Sequence, residues 1–219
     1  MLAGTGTPQS AATPRTTATG EANRERILNA ALARFARTGL GGTRVDEIAA
    51  DAGLSKTNLL YYFRTKNELY VTVLTRTLDM WLEPLRQIDA ARDPREALAH
   101  YVTCKLEAAR DFPEASRLFA LEIIHGAPML SGVIAGELKE LVDAKATLLR
   151  LWQAEGRLGG HEPHHLLFHI WAMTQHYADF AVQVKSLTGE TLHNPAFFER
   201  ARSSITAAVN GMVSGPPTR

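Results

Sequence analysis

From Glu21 onward the apolar residues of this 219-residue chain recur at three- and four-residue steps, and no segment alternates apolar and polar with period two. Ile27, Leu28, Ala31, Leu32 and Phe35 set the pattern on one face of a first helix, which Gly39-Leu40-Gly41-Gly42 stops. A second, short helix is expected after Thr43, with Asp46 at capping-box spacing, ending near Ala52-Gly53. Ser55 is a good N-cap for a third helix to about Phe63, and a fourth runs from Glu68 to about Leu82, where Pro84 interrupts it. Further helices are expected over 94–111, 114–125, 130–155, 163–187 and 195–211, which makes about nine. The fold class is therefore all-α.

Composition narrows the functional classes. Apolar residues make up 45% and charged residues 21%, an ordinary globular balance, and 24 Lys and Arg against 23 Asp and Glu leave a net charge of +1. Residues 21–70 are slightly basic and residues 71–219 slightly acidic, the sign expected if the front of the chain meets an anion. Cys104 is the only cysteine, so there is no intrachain disulfide framework. Lying mid-helix between Val102 and Leu106, it reads as a small core residue, with a redox sensor as the other possibility. No stretch approaches the roughly 18 apolar residues of a membrane span, and no signal peptide is recognisable. The expectation is a cytoplasmic protein with no membrane partner. Residues 1–20 are dominated by Thr, Ala, Gly, Pro and Ser and are expected to form a disordered tail. A DNA-binding domain is expected over 21–66 and a second helical domain over 67–214.

Two short helices joined at a glycine, 45–52 and 55–63, form a helix-turn-helix pattern. In this arrangement the second helix presents its first turn to base edges in the major groove. Lys56, Thr57 and Asn58 occupy that turn, with Tyr61 one turn later; Leu59 and Phe63 face back into the domain. Lys and Asn suit guanine and adenine edges, and Thr the thymine methyl. Thr43, Ser55, Tyr62 and Lys66 complete the expected DNA-binding set, with Thr43 and Lys66 assigned to phosphates. Taken singly, Thr43 and Ser55 also read as helix caps, and Lys56 and Lys66 as a solvated face.

In the C-terminal part, Trp171, Thr174 and Gln175 share one helix face, and Trp81 stands near the end of the fourth helix. An indole, a hydroxyl and an amide together could hold a planar heterocycle, the carboxamide pairing an N–H and C=O edge. The same spacing also suits two core indoles with Gln175 at a surface or interface. His161, His164, His165 and His169 cluster, but without an acidic residue placed as in H-E-x-x-H; no metal is expected. No P-loop, G-x-S-x-G or G-x-G-x-x-G motif occurs, and no enzyme is expected.

Residues 27–70 resemble the N-terminal domain of the tetracycline-repressor family. The similarity rests on Thr43, Ile48, Ala49, Ala52, Gly53, Leu54, Ser55, Tyr61, Phe63, Lys66 and Leu69; Leu60 departs from it, since the family commonly has Tyr there. The stretches LDMWLEPL (78–85), RDFPEASRLFALEIIHGAP (110–128) and FHIWAMTQHYADFAVQVKSLTG (168–189) resemble the pyrimidine-utilisation repressor subgroup. The resemblance implies a homodimer that binds palindromic operator DNA and is released by uracil or thymine. It assigns Trp81, Trp171 and Gln175 to the ligand, with Thr174 and Tyr177 beside them, and the last two long helices to the dimer interface. Other readings at this stage are a same-family regulator with a different small aromatic or acidic effector, and a helical ligand carrier or enzyme.

Overall fold

The computed structural model describes residues 18–215, and every regular element in that span is helical. The head consists of α1 (Ala18–Gly42), α2 (Val45–Asp51) and α3 (Lys56–Tyr62). Behind it lie α4 (Lys66–Arg86), α5 (Pro94–Asp111), α6 (Pro113–Ile124) and α7 (Ser131–Val133). A single π-turn, Ile134–Leu138, joins α7 without a break to α8 (Lys139–Ala154). α9 (Pro163–Asp179), α10 (Ala181–Thr188) and α11 (Pro195–Met212) complete the described residues. Counting α7–α8 as one helix, the described residues hold ten separate helices where about nine were expected.

The extra helix comes from the 163–187 segment, which divides at Phe180 (φ −112°, ψ 30°). Asp179 is pinned there by the Ser116 hydroxyl of α6, and His176 and Phe180 stack at 5.1 Å. A break of one residue leaves the apolar spacing nearly in phase, so the sequence pattern runs across it. α1 begins at Ala18, inside the stretch expected to be a tail; Met1–Thr17 lie outside the described residues. The N-cap of α2 is Arg44, not Thr43, and its capping box closes on Glu47, not Asp46. α4 continues through Pro84 to Arg86, because a proline in the last turn forfeits only the bond to the Met80 carbonyl; the Gln87 N–H closes the helix on Glu83 at 3.2 Å.

Two hydrophobic cores form. One gathers Ile27, Leu28, Phe35, Ile48, Leu59 and Phe63 of the head, most of the α4 face, and Leu118 and Phe119 of α6. The other gathers α5, α8, α9 and α11 around Tyr101, Leu106, Trp152, Leu166, Ile170 and Ile205, together with Leu85 from the far end of α4. In space, α4 and α6 belong to the head's core. Leu138, in the π-turn, packs against both cores, and π-turns of this kind recur at functional sites.

Candidate DNA-reading head and effector cavity

Between α2 and α3 the chain turns at Gly53 with φ +64°, a left-handed conformation open to glycine at little cost. A Cβ there would also come within 2.5 Å of the Arg26 guanidinium. Arg26 explains the closeness, since it donates to the Ala52 and Gly53 carbonyls and ties the turn to α1. Arg34 anchors the same end of α2, at its last residue, through two bonds to the Asp51 carboxylate, at 2.5 and 2.9 Å. The Arg34 partner holds the Asp51 carboxyl below its usual range.

The Ser55 hydroxyl accepts from the Asn58 N–H at 3.1 Å and starts α3. Leu59 and Phe63 are buried beneath the helix, with the Arg24 guanidinium 5.3 Å from the Phe63 ring centre. Lys56, Thr57 and Asn58 are exposed, and Tyr61 is 83% exposed. Tyr61 meets Tyr62 edge-to-face at 5.3 Å, and the half-buried Tyr62 hydroxyl accepts a bond from Asn23. Apart from that edge contact, the 83%-exposed Tyr61 beside a first turn of Lys, Thr and Asn is turned to solvent. This surface is prepared for an outside partner.

Thr43 and Lys66 are placed differently from expectation. Thr43 is 2% exposed, and its hydroxyl donates to the Gly39 carbonyl at 2.7 Å. The Lys66 ammonium donates to the Leu40 and Thr43 carbonyls at 2.7 and 2.9 Å, closing the end of α1 where backbone acceptors would otherwise be orphaned. Both side chains build the turn, and their polar atoms are already committed there. Arg44, with its side chain 72% exposed at the start of α2, stands on the surface that they leave.

The second site lies at the seam of the two cores. Leu78, Trp81 and Leu82 of α4, Tyr101 and Lys105 of α5, Phe119 of α6, Leu138, and Trp171 and Gln175 of α9 enclose a cavity of about 70 Å³, several times the space one water requires. Phe119, Leu138, Trp171 and Gln175 also line a wider vestibule of about 620 Å³, rimmed by Ile123, Ile124, Gly126, Ala127, Ile134 and Asp179. The inner walls are apolar and aromatic: Trp81 packs on Phe119 at 5.3 Å, and Trp171 donates its indole N–H to the Tyr101 hydroxyl at 2.7 Å. Burial pushes the Tyr101 phenol well above its ordinary range, so it stays neutral.

The structure thus brings together Trp81, Trp171 and Gln175. It does not bring Thr174 or Tyr177 to them. Thr174 is fully buried, its hydroxyl turned onto the Ile170 and Trp171 carbonyls of its own helix. Tyr177 lies in a groove between α9 and α11 with Met173, Ser204 and Ala208, edge-on to Phe197 at 6.0 Å. The helix face that carries Trp171 and Gln175 is narrower than the spacing alone implied.

Lys105 went unrecognised in the sequence. It is 5% exposed, with its ammonium 4.4 Å from the Trp81 ring centre. Burial pushes its pKa down to about 7, against the pull of the Asp179 carboxylate. Asp179 is itself raised by burial, with Ser116 and Lys105 opposing. A signal was present: Ala97, Leu98, Tyr101, Val102, Lys105, Leu106 and Ala109 form one unbroken buried face, and Lys105 is the one charged member. A lysine in the apolar phase of a helix is seldom fully buried without a partner.

The histidine cluster lies near the start of α9. His161 Nε2 and His169 Nδ1 are 3.3 Å apart, and His164 bridges Glu162 and Asp143 at 3.0 and 3.3 Å. Among the described residues no group of three or more His, Cys, Asp or Glu is arranged to hold a metal ion. Cys104 is partly buried, its Sγ 3.5 Å from His100 Nε2, and burial raises its thiol pKa.

Known proteins match this chain along nearly its whole described length. Residues 27–73 match the family described as bacterial regulatory proteins, tetR family, and residues 74–214 match the family described as YcdC-like protein, C-terminal region. The HTH-type transcriptional regulator RutR of Escherichia coli K12 is 47% identical over 184 residues, which cover 84% of this chain and 87% of that protein. RutR of Shigella flexneri matches to the same extent. Among solved structures, SCO4942 from Streptomyces coelicolor superposes with a TM-score of 0.64 at 29% identity, over 89% of this chain and 99% of that one. AibR, solved with isovaleryl coenzyme A and operator DNA, shares the fold at 18% identity with a TM-score of 0.63, over 89% of this chain and 99% of its own. With an exposed recognition helix, a cavity behind it and matches along nearly the whole described length, this chain belongs to the tetR family of bacterial transcriptional regulators.

Proposed function

We propose that this regulator acts as a dimeric repressor of palindromic operator DNA and that uracil or thymine, entering the cavity between Trp81 and Trp171, releases it. The observation that carries this reading is the buried Trp81 indole N–H, which has no hydrogen-bond partner beside a cavity that Gln175 also lines. Buried polar groups are nearly always paired, so an unspent donor on a residue that lines a small aromatic cavity calls for an acceptor on a ligand. A pyrimidine imide supplies stacking faces, an N–H for the Gln175 carbonyl and oxygens for the donors.

Dimerisation through α9 and α11 is supported by their outer faces. Phe168 and Phe180 are about half exposed (48% and 56%), and α11 offers the small exposed residues Ser203, Ser204, Ala207 and Ala208, over which a second copy can approach closely. Two heads related by a two-fold axis read half-sites about 34–36 Å apart. The cavity reaches the head through α4. Trp81 forms its wall, and Tyr70, earlier on the same helix, stacks edge-on with Phe35 of α1 at 4.9 Å. The Tyr70 hydroxyl also donates to the buried Glu122 of α6 at 3.0 Å. A ligand that favours one pose of α4 and α6 thereby changes the separation of the heads; without such a preference it could release nothing.

The test combines thermal shift with operator retention. Uracil and thymine should stabilise the purified protein, since a ligand at one hundred times its dissociation constant adds about 2.7 kcal/mol. They should also release it from a selected duplex but not change its retention on a scrambled one. No response to either base overturns the effector, and equal retention on both duplexes overturns the specific reading head.

A further inference from the structure

We propose that Lys105 is the specificity-determining residue of the cavity, its ammonium leaving the face of Trp81 to donate to a ring carbonyl that Gln175 does not hold. The inference rests on the pyrimidine reading above and extends it to a residue outside the Trp81, Trp171 and Gln175 set.

The geometry is that of a donor held in reserve. Lys105 lines the cavity at 5% exposure. Among the described residues its ammonium has a cation–π contact with Trp81 at 4.4 Å, but no hydrogen-bond acceptor. An ammonium carries three donors and no acceptor, and burying it without hydrogen bonds is costly. The anion that acts on it is Asp179, whose Oδ1 accepts from the Ser116 hydroxyl and which makes no hydrogen bond or ion pair with Lys105. The Trp81 N–H on the neighbouring helix is also unpaired. The cavity therefore presents surplus donors on its α4–α5 wall and a paired donor and acceptor, the Gln175 amide, on its α9 wall. A ring with one C=O/N–H edge would satisfy Gln175 and leave Lys105 stranded. A ring with a second carbonyl satisfies both, and a site built around a polar contact rejects analogues that lack it.

Lys105 titrates close to neutrality, pushed down to about 7 by burial, so its contribution depends on pH. The groups around it are Trp81 from α4 and Tyr101 one turn earlier on α5, with the Asp179 carboxylate of α9 acting on its charge; Ser116, Arg117 and His176 act in turn on Asp179. The ammonium is the donor, so its contribution is complete below that pKa and is lost as pH rises through and above it.

The experiment is calorimetric titration of the full chain, without DNA, using uracil and pyrimidin-4-one, which keeps the C=O/N–H edge and lacks the second carbonyl. Wild type and Lys105→Met are compared from pH 6 to 8.5. Wild type should prefer uracil more than tenfold at pH 6, and the preference should shrink as pH rises. Lys105→Met should prefer it less than threefold at every pH, while His176 and Asp179 remain present. A Lys105→Met protein with wild-type preference and pH profile overturns the assignment of Lys105 and leaves the pyrimidine reading intact. Wild type that binds neither ring overturns both. Should the variant fail to fold, a pH-independent preference in wild type alone is enough to overturn the proposal.

Discussion

The head and the cavity solve opposite problems with the same helical material. α3 turns Lys56, Thr57, Asn58 and Tyr61 outward, buries Leu59 in the core and rests Leu60 and Tyr62 at its edge, so its polar chemistry lies within seven consecutive residues and on one surface. The cavity draws on Trp81, Lys105, Phe119, Leu138, Trp171 and Gln175, spread over almost a hundred residues on four helices and a π-turn. A partner as large as a DNA duplex can be met by one contiguous segment. A ligand of a single ring must be surrounded, and no single helix surrounds anything. The difference also sets where each site is vulnerable: the head through its scaffold, the cavity through any one of its walls.

The comparison breaks most visibly if the head loses its foundation. Leu59→Ala, at a residue 1% exposed, should cost about 2–5 kcal/mol and abolish operator binding, while uracil binding falls less, because only the Trp81 and Phe119 side of the cavity belongs to that core. Urea melts followed by head and cavity probes check this; a single coincident loss would show that the two cores melt as one. A crossed pair comes next. Asn58→Ala should weaken operator binding by about 1–3 kcal/mol and leave uracil affinity unchanged. Gln175→Leu should weaken uracil by about 1–3 kcal/mol and leave ligand-free operator affinity unchanged. Gel-shift and calorimetric titrations on both variants decide whether recognition is partitioned in this way. Gly53→Ala should cost about 1–2 kcal/mol through the left-handed backbone alone, and more if Arg26 cannot yield, read as a lowered thermal midpoint. Tyr61→Phe has the smallest expected effect, about 0.5–1.5 kcal/mol of operator affinity, because one exposed hydroxyl is removed and no packing is lost.

Legibility in the sequence follows the same division. The recognition helix could be read directly because capping, turn and first-turn chemistry are local: Ser55, Gly53 and Asn58 each act within three residues of their partners or through their own backbone. The bonds of Thr43 and Lys66 to the Gly39 and Leu40 carbonyls were not legible, because a lysine bonded 26 residues back looks like a free surface cation in one dimension. Trp81, Trp171 and Gln175 were found, but helical spacing alone could not separate them from Thr174, which turns its hydroxyl onto its own backbone, or from Tyr177, which faces α11. Lys105 was visible only as a charge in the wrong phase of α5, and that pattern does not say what it faces.

By itself, the sequence determined the helical class, the stops at Gly39–Gly42 and Gly53, and the outward chemistry of α3, since each depends on propensities and spacings within a few residues. Tertiary structure alone decided that α4 and α6 join the head's core and that 163–187 breaks at Phe180. It also decided that Lys105 comes to rest over Trp81 beside an unspent indole donor. These depend on which helix faces meet across the seam, and packing between segments distant in the chain is set by their combined shape and burial, not by the periodicity of any one of them.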